Sequence, residues 1–148
     1  MDWTALPAFL ARSDNLALLG PKAPSQQRDW LWGGCAILAE ALLEWLPSHA
    51  QLWTIEDPEA LWAYHMLVGV NGHFIDGLGE RTQEEVLAWF AQEYPATSQD
   101  CILSDCERDW SHVSWGGIIR NPKEAHLLAE RLLSEFGSVP ALDEPTLA

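Results

Sequence analysis

The dipeptide Asn71-Gly72 constrains the fold of this chain more than any other feature of its sequence. It separates two apolar segments, residues 64–70 (YHMLVGV) and residues 73–76 (HFID). Asn and Gly both tolerate the positive φ angles that a two-residue hairpin turn requires. We therefore predict an antiparallel hairpin in which Val70 pairs with His73.

This pairing sorts the hairpin residues onto two faces. Residues two apart in a strand share a face, so His65 lies with Leu67, and Asp76 lies opposite Leu67. His65 and Asp76 are then diagonal neighbours, roughly 7 Å apart at the backbone and within side-chain reach. His73 falls on the opposite face. That face also carries the apolar residues that we expect to meet the core: Met66, Val68, Val70 and Ile75.

The segment that begins at Cys35 predicts the central helix. Its sequence, CAILAEALLEWL, is rich in the helix formers Ala, Leu and Glu, and Pro47 stops it. Only Glu40 and Glu44 are charged and they share one face, so most of the helix should be buried. With the strand-like segment 51–56 and the hairpin, it predicts an α+β fold: a central buried helix packed on a small antiparallel sheet.

Weaker patterns predict three further helices. Apolar residues at helical spacing indicate a helix over residues 2–12. A capping box formed by Thr82 and Glu85 starts a second helix that runs to about Glu93. A third helix, residues 122–136, has proline at its start.

The remaining segments complete the predicted organisation. Residues 96–114 indicate irregular structure, followed by a strand at about 114–120. We expect one domain over residues 1–140 and a flexible acidic tail over residues 141–148.

Composition bounds the kind of protein. The chain has 148 residues and is 48% hydrophobic, enough for one domain with one core. Its formal charge of −14 argues against nucleic-acid binding, because affinity for phosphates comes mainly from Lys and Arg. A basic peptide or protein partner, or solubility alone, accounts for the charge.

The cellular compartment is predicted from absent signals. The longest apolar stretch, residues 35–46, is too short and too charged for a membrane span, which needs about 20 apolar residues. The first residues lack the pattern of a secretory signal, and three cysteines do not form a dense disulfide framework. We expect a cytoplasmic protein that does not act at a membrane.

Cys35 is the candidate nucleophile. At the start of the predicted helix, unpaired N–H groups and the helix dipole favour a thiolate. Gly33 and Gly34 before it would allow a substrate to approach the backbone closely, and N–H groups there could receive an oxyanion. An aspartate that accepts the Nδ1–H of a histidine fixes the tautomer and favours the imidazolium. Asp76 is placed to do this for His65.

The segments WGGCAILAEAL and HMLVGVNGHFIDGLG resemble papain-like and transglutaminase-like cysteine hydrolases. The order is that of the superfamily: a cysteine at the start of a buried helix, a histidine opening a strand, and an aspartate on the next strand. The second segment is similar to the hairpin of small bacterial or phage members. The resemblance implies a papain-like or transglutaminase-like core with Cys35 as nucleophile, His65 as general base and then acid, and Asp76 as orienting carboxylate.

The resemblance also implies the reaction. The expected activity is hydrolysis or acyl transfer at an amide bond through a thioester, as in a peptidase, amidase or deamidase, without a cofactor. The expected substrate is a peptide or protein, and the acidic charge favours a basic one.

Some positions depart from the pattern of the superfamily. Papain-like enzymes usually carry, about six residues before the cysteine, a glutamine that supplies an oxyanion donor, whereas this chain has Asp29. Gln27 lies two residues earlier and would need a different loop to serve. Ala36 stands where many relatives have an aromatic residue. Trp32 is a candidate wall of the substrate site because it lies close to the cysteine in sequence.

Other interpretations stay open. Cys35 and His65 are residue types that also occur as ordinary core residues. A metal site could use these two residues with Asp76 and His73, but the predicted hairpin puts His73 on the opposite face, so no metal is expected. The main rival is a non-catalytic acidic interaction protein, of an inhibitor, immunity or phage-encoded type, that masks a basic partner.

Overall fold

The computed structural model describes residues 1–20, 29–105 and 120–139. Over these residues the chain has an α+β fold with five α-helices and one five-stranded antiparallel sheet, which confirms the predicted fold class at this level. The elements follow one another as α1 (Leu6–Leu10), α2 (Ser13–Leu16), α3 (Cys35–Trp45), β1 (Gln51–Asp57), β2 (Trp62–Val70), β3 (His73–Asp76), β4 (Gly79–Arg81), α4 (Gln83–Glu93), β5 (Ile102–Asp105) and α5 (Pro122–Phe136).

The sheet has the order β4-β3-β2-β1-β5, and the predicted hairpin forms its middle. Asn71 and Gly72 have φ angles of 50° and 79°, as a turn with two left-handed residues requires. Val70 pairs with His73, and the next pairs keep the same register. The register predicted from the Asn-Gly turn is therefore confirmed.

The two faces of the sheet meet different helices. Met66, Val68, Val70 and Ile75 belong to the larger apolar cluster, which includes the buried side of α3. On the other face, a second cluster joins the hairpin to α4 and consists of Ile55, Leu67, Phe74, Val86 and Phe90. The sheet therefore lies between α3 and α4.

Helix α3 is the buried centre of the fold because α5 covers the side that the sheet leaves open. Eight of its eleven residues are buried, and a fully buried Leu or Ile side chain contributes about 1.5–3 kcal/mol. Its two charged residues reach basic partners: Glu40 pairs with Arg120, and Glu44 lies 2.6 Å from Nδ1 of His126. The predicted central helix is confirmed.

Residues 2–12 do not form the single helix that was predicted. A 3₁₀ turn, Trp3–Ala5, precedes α1, because Pro7 lacks the N–H that an α-helix starting earlier would need. Arg12 then adopts an extended conformation, with φ −61° and ψ 142°, and α2 starts after it. The prediction of one continuous helix was therefore wrong, because two short helices, α1 and α2, take its place.

The later elements agree better with expectation. Helix α4 begins after the predicted capping box, in which Thr82 and Glu85 bond each other's backbone N–H, and α5 has the predicted bounds. Strand β5 lies inside segment 96–114, which was predicted to be irregular. The strand expected at about 114–120, apart from Arg120, and the acidic tail 141–148 fall outside the described residues. No helix in the described part is both long and apolar enough to cross a membrane.

Candidate active site

The hairpin brings His65 and Asp76 into direct contact. His65 Nε2 lies 2.8 Å from Asp76 Oδ2, and the two residues are only 1% and 2% exposed. The expected juxtaposition is present, but the ring nitrogen differs: the sequence argument assigned Nδ1 to the aspartate, whereas Nε2 makes the contact. The reason is that another acceptor occupies Nδ1.

That acceptor is the backbone carbonyl of Leu31, whose oxygen lies 2.9 Å from His65 Nδ1. A carbonyl and a carboxylate can only accept hydrogen bonds, so both ring nitrogens must carry a proton to satisfy both contacts. The surroundings of His65 therefore select the doubly protonated, cationic imidazole.

The pKa values of the pair shift in the direction that this geometry requires. Burial alone would lower the pKa of His65, but the hydrogen bond to Asp76 and the nearby side chain of Cys35 outweigh burial and raise the pKa to about 9. Burial would raise the pKa of Asp76, but the bond from His65 and the charge of Arg81 hold it below its usual value. At neutral pH the pair is an imidazolium and a carboxylate.

Cys35 completes the group from a third element. It is the first residue of α3, is 1% exposed, and lies close enough to His65 to contribute to the raised pKa of the ring. The structure thus brings the three predicted residues together from α3, β2 and β3. A cationic imidazole beside a thiol is the arrangement that stabilises a thiolate nucleophile and can later protonate a leaving group.

Arg81 is a member of this site that the sequence argument missed. It lies on β4 and contacts the same Asp76 oxygen that His65 bonds, while Asp76 Oδ1 accepts the N–H of Leu78 at 2.9 Å. Its guanidinium also stacks on the ring of Trp89, 5.1 Å from the ring centroid. The closely spaced glycines on either side of Leu78 were a signal for the second tight turn that delivers this arginine.

Aromatic side chains line the site. The ring of Trp89 lies 5.1 Å from that of His65, and Trp32 lies 6.2 Å from Trp89 and 5.3 Å from Tyr94, measured between ring centroids. Trp32, predicted as a substrate wall, is therefore linked to His65 through Trp89 and is partly buried. Gln27, predicted beside it, lies outside the described residues.

Gly34 has a packing role in addition to the predicted one. A Cβ atom at this position would lie 2.3 Å from Leu19 Cδ2 and 2.7 Å from the carbonyl oxygen of Asp29. Glycine is required here because other parts of the chain pack tightly against its backbone, and the predicted contact with a substrate stays a prediction. Gly33, the other predicted contact, is partly buried in the same turn.

The predicted oxyanion donors are also occupied. The N–H of Gly34 donates to the Asp29 carbonyl at 2.9 Å, and the N–H of Cys35 donates to the Trp32 carbonyl at 3.3 Å. These two N–H groups therefore serve the turn that leads into α3. An oxyanion would need donors other than these two.

A metal site does not form from the candidate residues. His73 lies on the opposite side of the hairpin from His65, where its Nδ1 contacts Glu80. In residues 1–20, 29–105 and 120–139, no three His, Cys, Asp or Glu side chains are grouped so that they could hold a metal ion.

A groove of about 410 Å³ lies at the turn end of the hairpin, where Trp53, Gly69 and Phe74 are among its lining residues. Cys35, His65 and Asp76 are not among its lining residues. We therefore do not assign this groove to the chemistry of Cys35.

The raised pKa of His65 makes stability depend on pH in a defined window. Because its pKa in the folded protein is about 9 and its ordinary value is 6.5, its contribution is fully present below pH 6.5 and is lost as pH rises through 9. We expect the free energy of unfolding to fall across this window with a slope of up to about 1.4 kcal/mol per pH unit. Asp76, whose pKa is lowered, loses its contribution only in acid.

Urea unfolding at a series of pH values, compared with a His65→Gln variant, measures this contribution. The difference in unfolding free energy between the two proteins should shrink steadily from pH 6.5 to pH 9. A difference that stays constant across the window would show that His65 is not held as a cation in the folded protein.

Comparisons of the chain with protein-family models, with curated proteins and with solved structures gave no match.

Proposed function

We propose that this chain is a cysteine-dependent hydrolase or acyl transferase that acts on an amide bond, as a peptidase, amidase or deamidase with a papain-like or transglutaminase-like core. The observation that supports it best is the buried imidazole of His65, whose Nε2 bonds Asp76 and whose pKa is raised in part by the nearby Cys35 at the start of α3. Ordinary core packing does not require a cation, a carboxylate and a thiol to meet at one point.

The groups present can carry out both halves of such a reaction. The sulfur of Cys35, as the thiolate, attacks the amide carbonyl carbon, and His65 gives the Nδ1 proton, released from the Leu31 carbonyl, to the amine as the C–N bond breaks, which leaves a thioester. His65 then takes a proton from water or from a second amine, whose attack breaks the C–S bond and restores the thiolate and the imidazolium. Asp76, held by Arg81 and the Leu78 N–H, keeps the ring in place throughout.

The rival function keeps a specific observation in its favour. Cys35, His65 and Asp76 are each 2% exposed or less, so a substrate reaches the thiol only after the surrounding side chains move. An acidic interaction protein that masks a basic partner would need no such movement, and the formal charge of −14 suits it. The two functions differ in whether the thiol ever forms a covalent bond.

An acylation experiment tests the proposal without knowledge of the natural substrate. The full chain is mixed with p-nitrophenyl acetate at pH 7, and release of nitrophenolate is followed together with the intact mass. We expect one acetyl group to appear on Cys35, formed as the ester C–O bond breaks and the new C–S bond forms. Cys35→Ser should abolish the adduct, whereas the matched variant Cys101→Ser should retain it.

The opposite result supports the rival. If acetyl never appears on Cys35 in the folded wild-type chain, the catalytic proposal fails. A stable one-to-one complex with a basic protein, recovered equally well with Cys35→Ser and without any covalent adduct, would then be the positive evidence for masking.

A further inference from the structure

Asp29 organises the turn that precedes α3. Its Oδ1 accepts the N–H of Leu31 at 2.9 Å and the N–H of Trp32 at 3.0 Å. Its backbone carbonyl accepts the N–H of Gly34 at 2.9 Å. One partly buried residue thus makes three hydrogen bonds that fix the conformation of residues 29–34.

This turn reaches the active site through a single peptide unit. The carbonyl of Leu31 and the N–H of Trp32 belong to the same planar peptide group and point in opposite directions. When Asp29 Oδ1 holds the Trp32 N–H, the Leu31 carbonyl is aimed away from Asp29. That oxygen lies 2.9 Å from His65 Nδ1.

We propose that Asp29 is a positioning residue for His65: by holding the Leu31–Trp32 peptide, it keeps the Leu31 carbonyl on Nδ1 and so fixes the orientation and the proton of the ring. An aspartate carboxylate at neutral pH has no N–H to donate, so it does not replace an oxyanion donor at this position. It acts on the general acid, not on the substrate. This inference deepens the proposed function, because it concerns the same site.

Several charged or titratable groups face His65, and their effects on its titration differ in kind from the effect of Asp29. Cys35 approaches from α3, Asp76 from β3, and Arg81 from β4 through Asp76. Asp29 differs from these because its carboxylate acts through the peptide that it holds. The geometry of the carboxylate, and not its charge, should therefore determine the effect on His65.

Two substitutions of Asp29 separate geometry from charge. Asp29→Asn removes the charge but keeps an Oδ1 acceptor at the same distance, so the turn should persist. Asp29→Glu keeps the charge but moves the acceptor by one methylene, so the Leu31 carbonyl should turn away from Nδ1. Losing one hydrogen bond to the cationic ring should lower the pH at which His65 titrates by about 1–2 units.

The measurement is the NMR titration of His65 in the full chain, with His65→Gln identifying its resonances and the exposed His126 as internal reference. We expect Asp29→Asn to titrate like wild type and Asp29→Glu to titrate 1–2 units lower. A shift in Asp29→Asn as large as that in Asp29→Glu, a shift in Asp29→Asn alone, or no shift in either, overturns the inference.

The NMR titration of His65 does not depend on whether the protein is a catalyst. The titration needs neither substrate nor a reactive thiol, so the expected shifts with no acetylation of Cys35 would keep the role of Asp29 and reject the hydrolase. Acetylation of Cys35 with no shift in the titration of His65 would keep the hydrolase and reject the role of Asp29. If Asp29→Glu fails to fold, Asp29→Ser replaces it, because its shorter side chain weakens the same bonds to the N–H groups of Leu31 and Trp32. Asp29→Ser should lower the pH at which His65 titrates, and an unchanged titration would reject the inference.

Discussion

Replacing Asp76 by alanine is expected to lower the free energy of unfolding by about 3–5 kcal/mol, the usual cost of leaving a buried charge without its partner. The substitution removes the carboxylate from two cations: His65, which is 1% exposed, and the guanidinium of Arg81, whose side chain is 11% exposed. It also removes the acceptor of the Leu78 N–H. Urea unfolding at pH 7, followed by tryptophan fluorescence, measures the loss.

A matched control separates this buried group from ion pairs in general. Glu135 pairs with Arg12 at 2.6 Å, but both side chains are well exposed, so Glu135→Ala should leave the unfolding midpoint almost unchanged. Asp76→Asn is the second control, since it keeps an oxygen for Leu78 while losing the charge, and it should retain part of the lost stability. If Asp76→Ala were as stable as Glu135→Ala, His65 and Arg81 would not depend on a buried carboxylate.

Replacing His65 by alanine is expected to slow the alkylation of Cys35 by iodoacetamide at pH 7 by about 100-fold or more, within the range for loss of a positioned acid–base group. A thiolate is the reactive form of a cysteine, and a neighbouring cation favours that form in general. The rate constant is read by mass spectrometry of the peptide that contains Cys35. The result is the ratio of the rate constants of the two proteins, not either rate constant alone.

The chain supplies its own references for this experiment. Burial, with smaller effects from Asp57 and Asp100, raises the pKa of Cys101 to about 11, so this thiol should react slowly at pH 7 in every variant. His126→Ala removes an exposed histidine on α5 and should leave the rate at Cys35 unchanged. Equal rates at Cys35 in wild type and His65→Ala would contradict the proposed role of the histidine.

The predictable part of the site follows from local rules. The Asn71-Gly72 turn fixes the register of β2 and β3, and register alone places His65 and Asp76 on one face. The uninterrupted apolar sequence of α3 predicts a buried helix with Cys35 at its start. These features need only the spacing of residues along one or two neighbouring elements.

The part that could not be predicted depends on contacts between distant segments. The ring nitrogen that faces Asp76 is set by the Leu31 carbonyl, which comes from a turn 34 residues away in sequence. The close contact of Leu19 with Gly34 cannot be predicted either, because Leu19 belongs to a separate segment of the chain. Arg81 was missed because β4 has only three residues and no alternating pattern.

The proposed chemistry requires that the thiol of Cys35 contacts the cationic imidazole of His65 inside the protein. The most direct test is the NMR titration of His65 in wild type and in Cys35→Ala, with Cys101→Ala as the control. Because Cys35 is one of the groups that raise the pKa of His65, the account predicts a lower titration midpoint in Cys35→Ala and an unchanged one in Cys101→Ala. Identical titration of His65 with and without the Cys35 thiol would show that sulfur and ring do not interact, and would contradict the catalytic assignment.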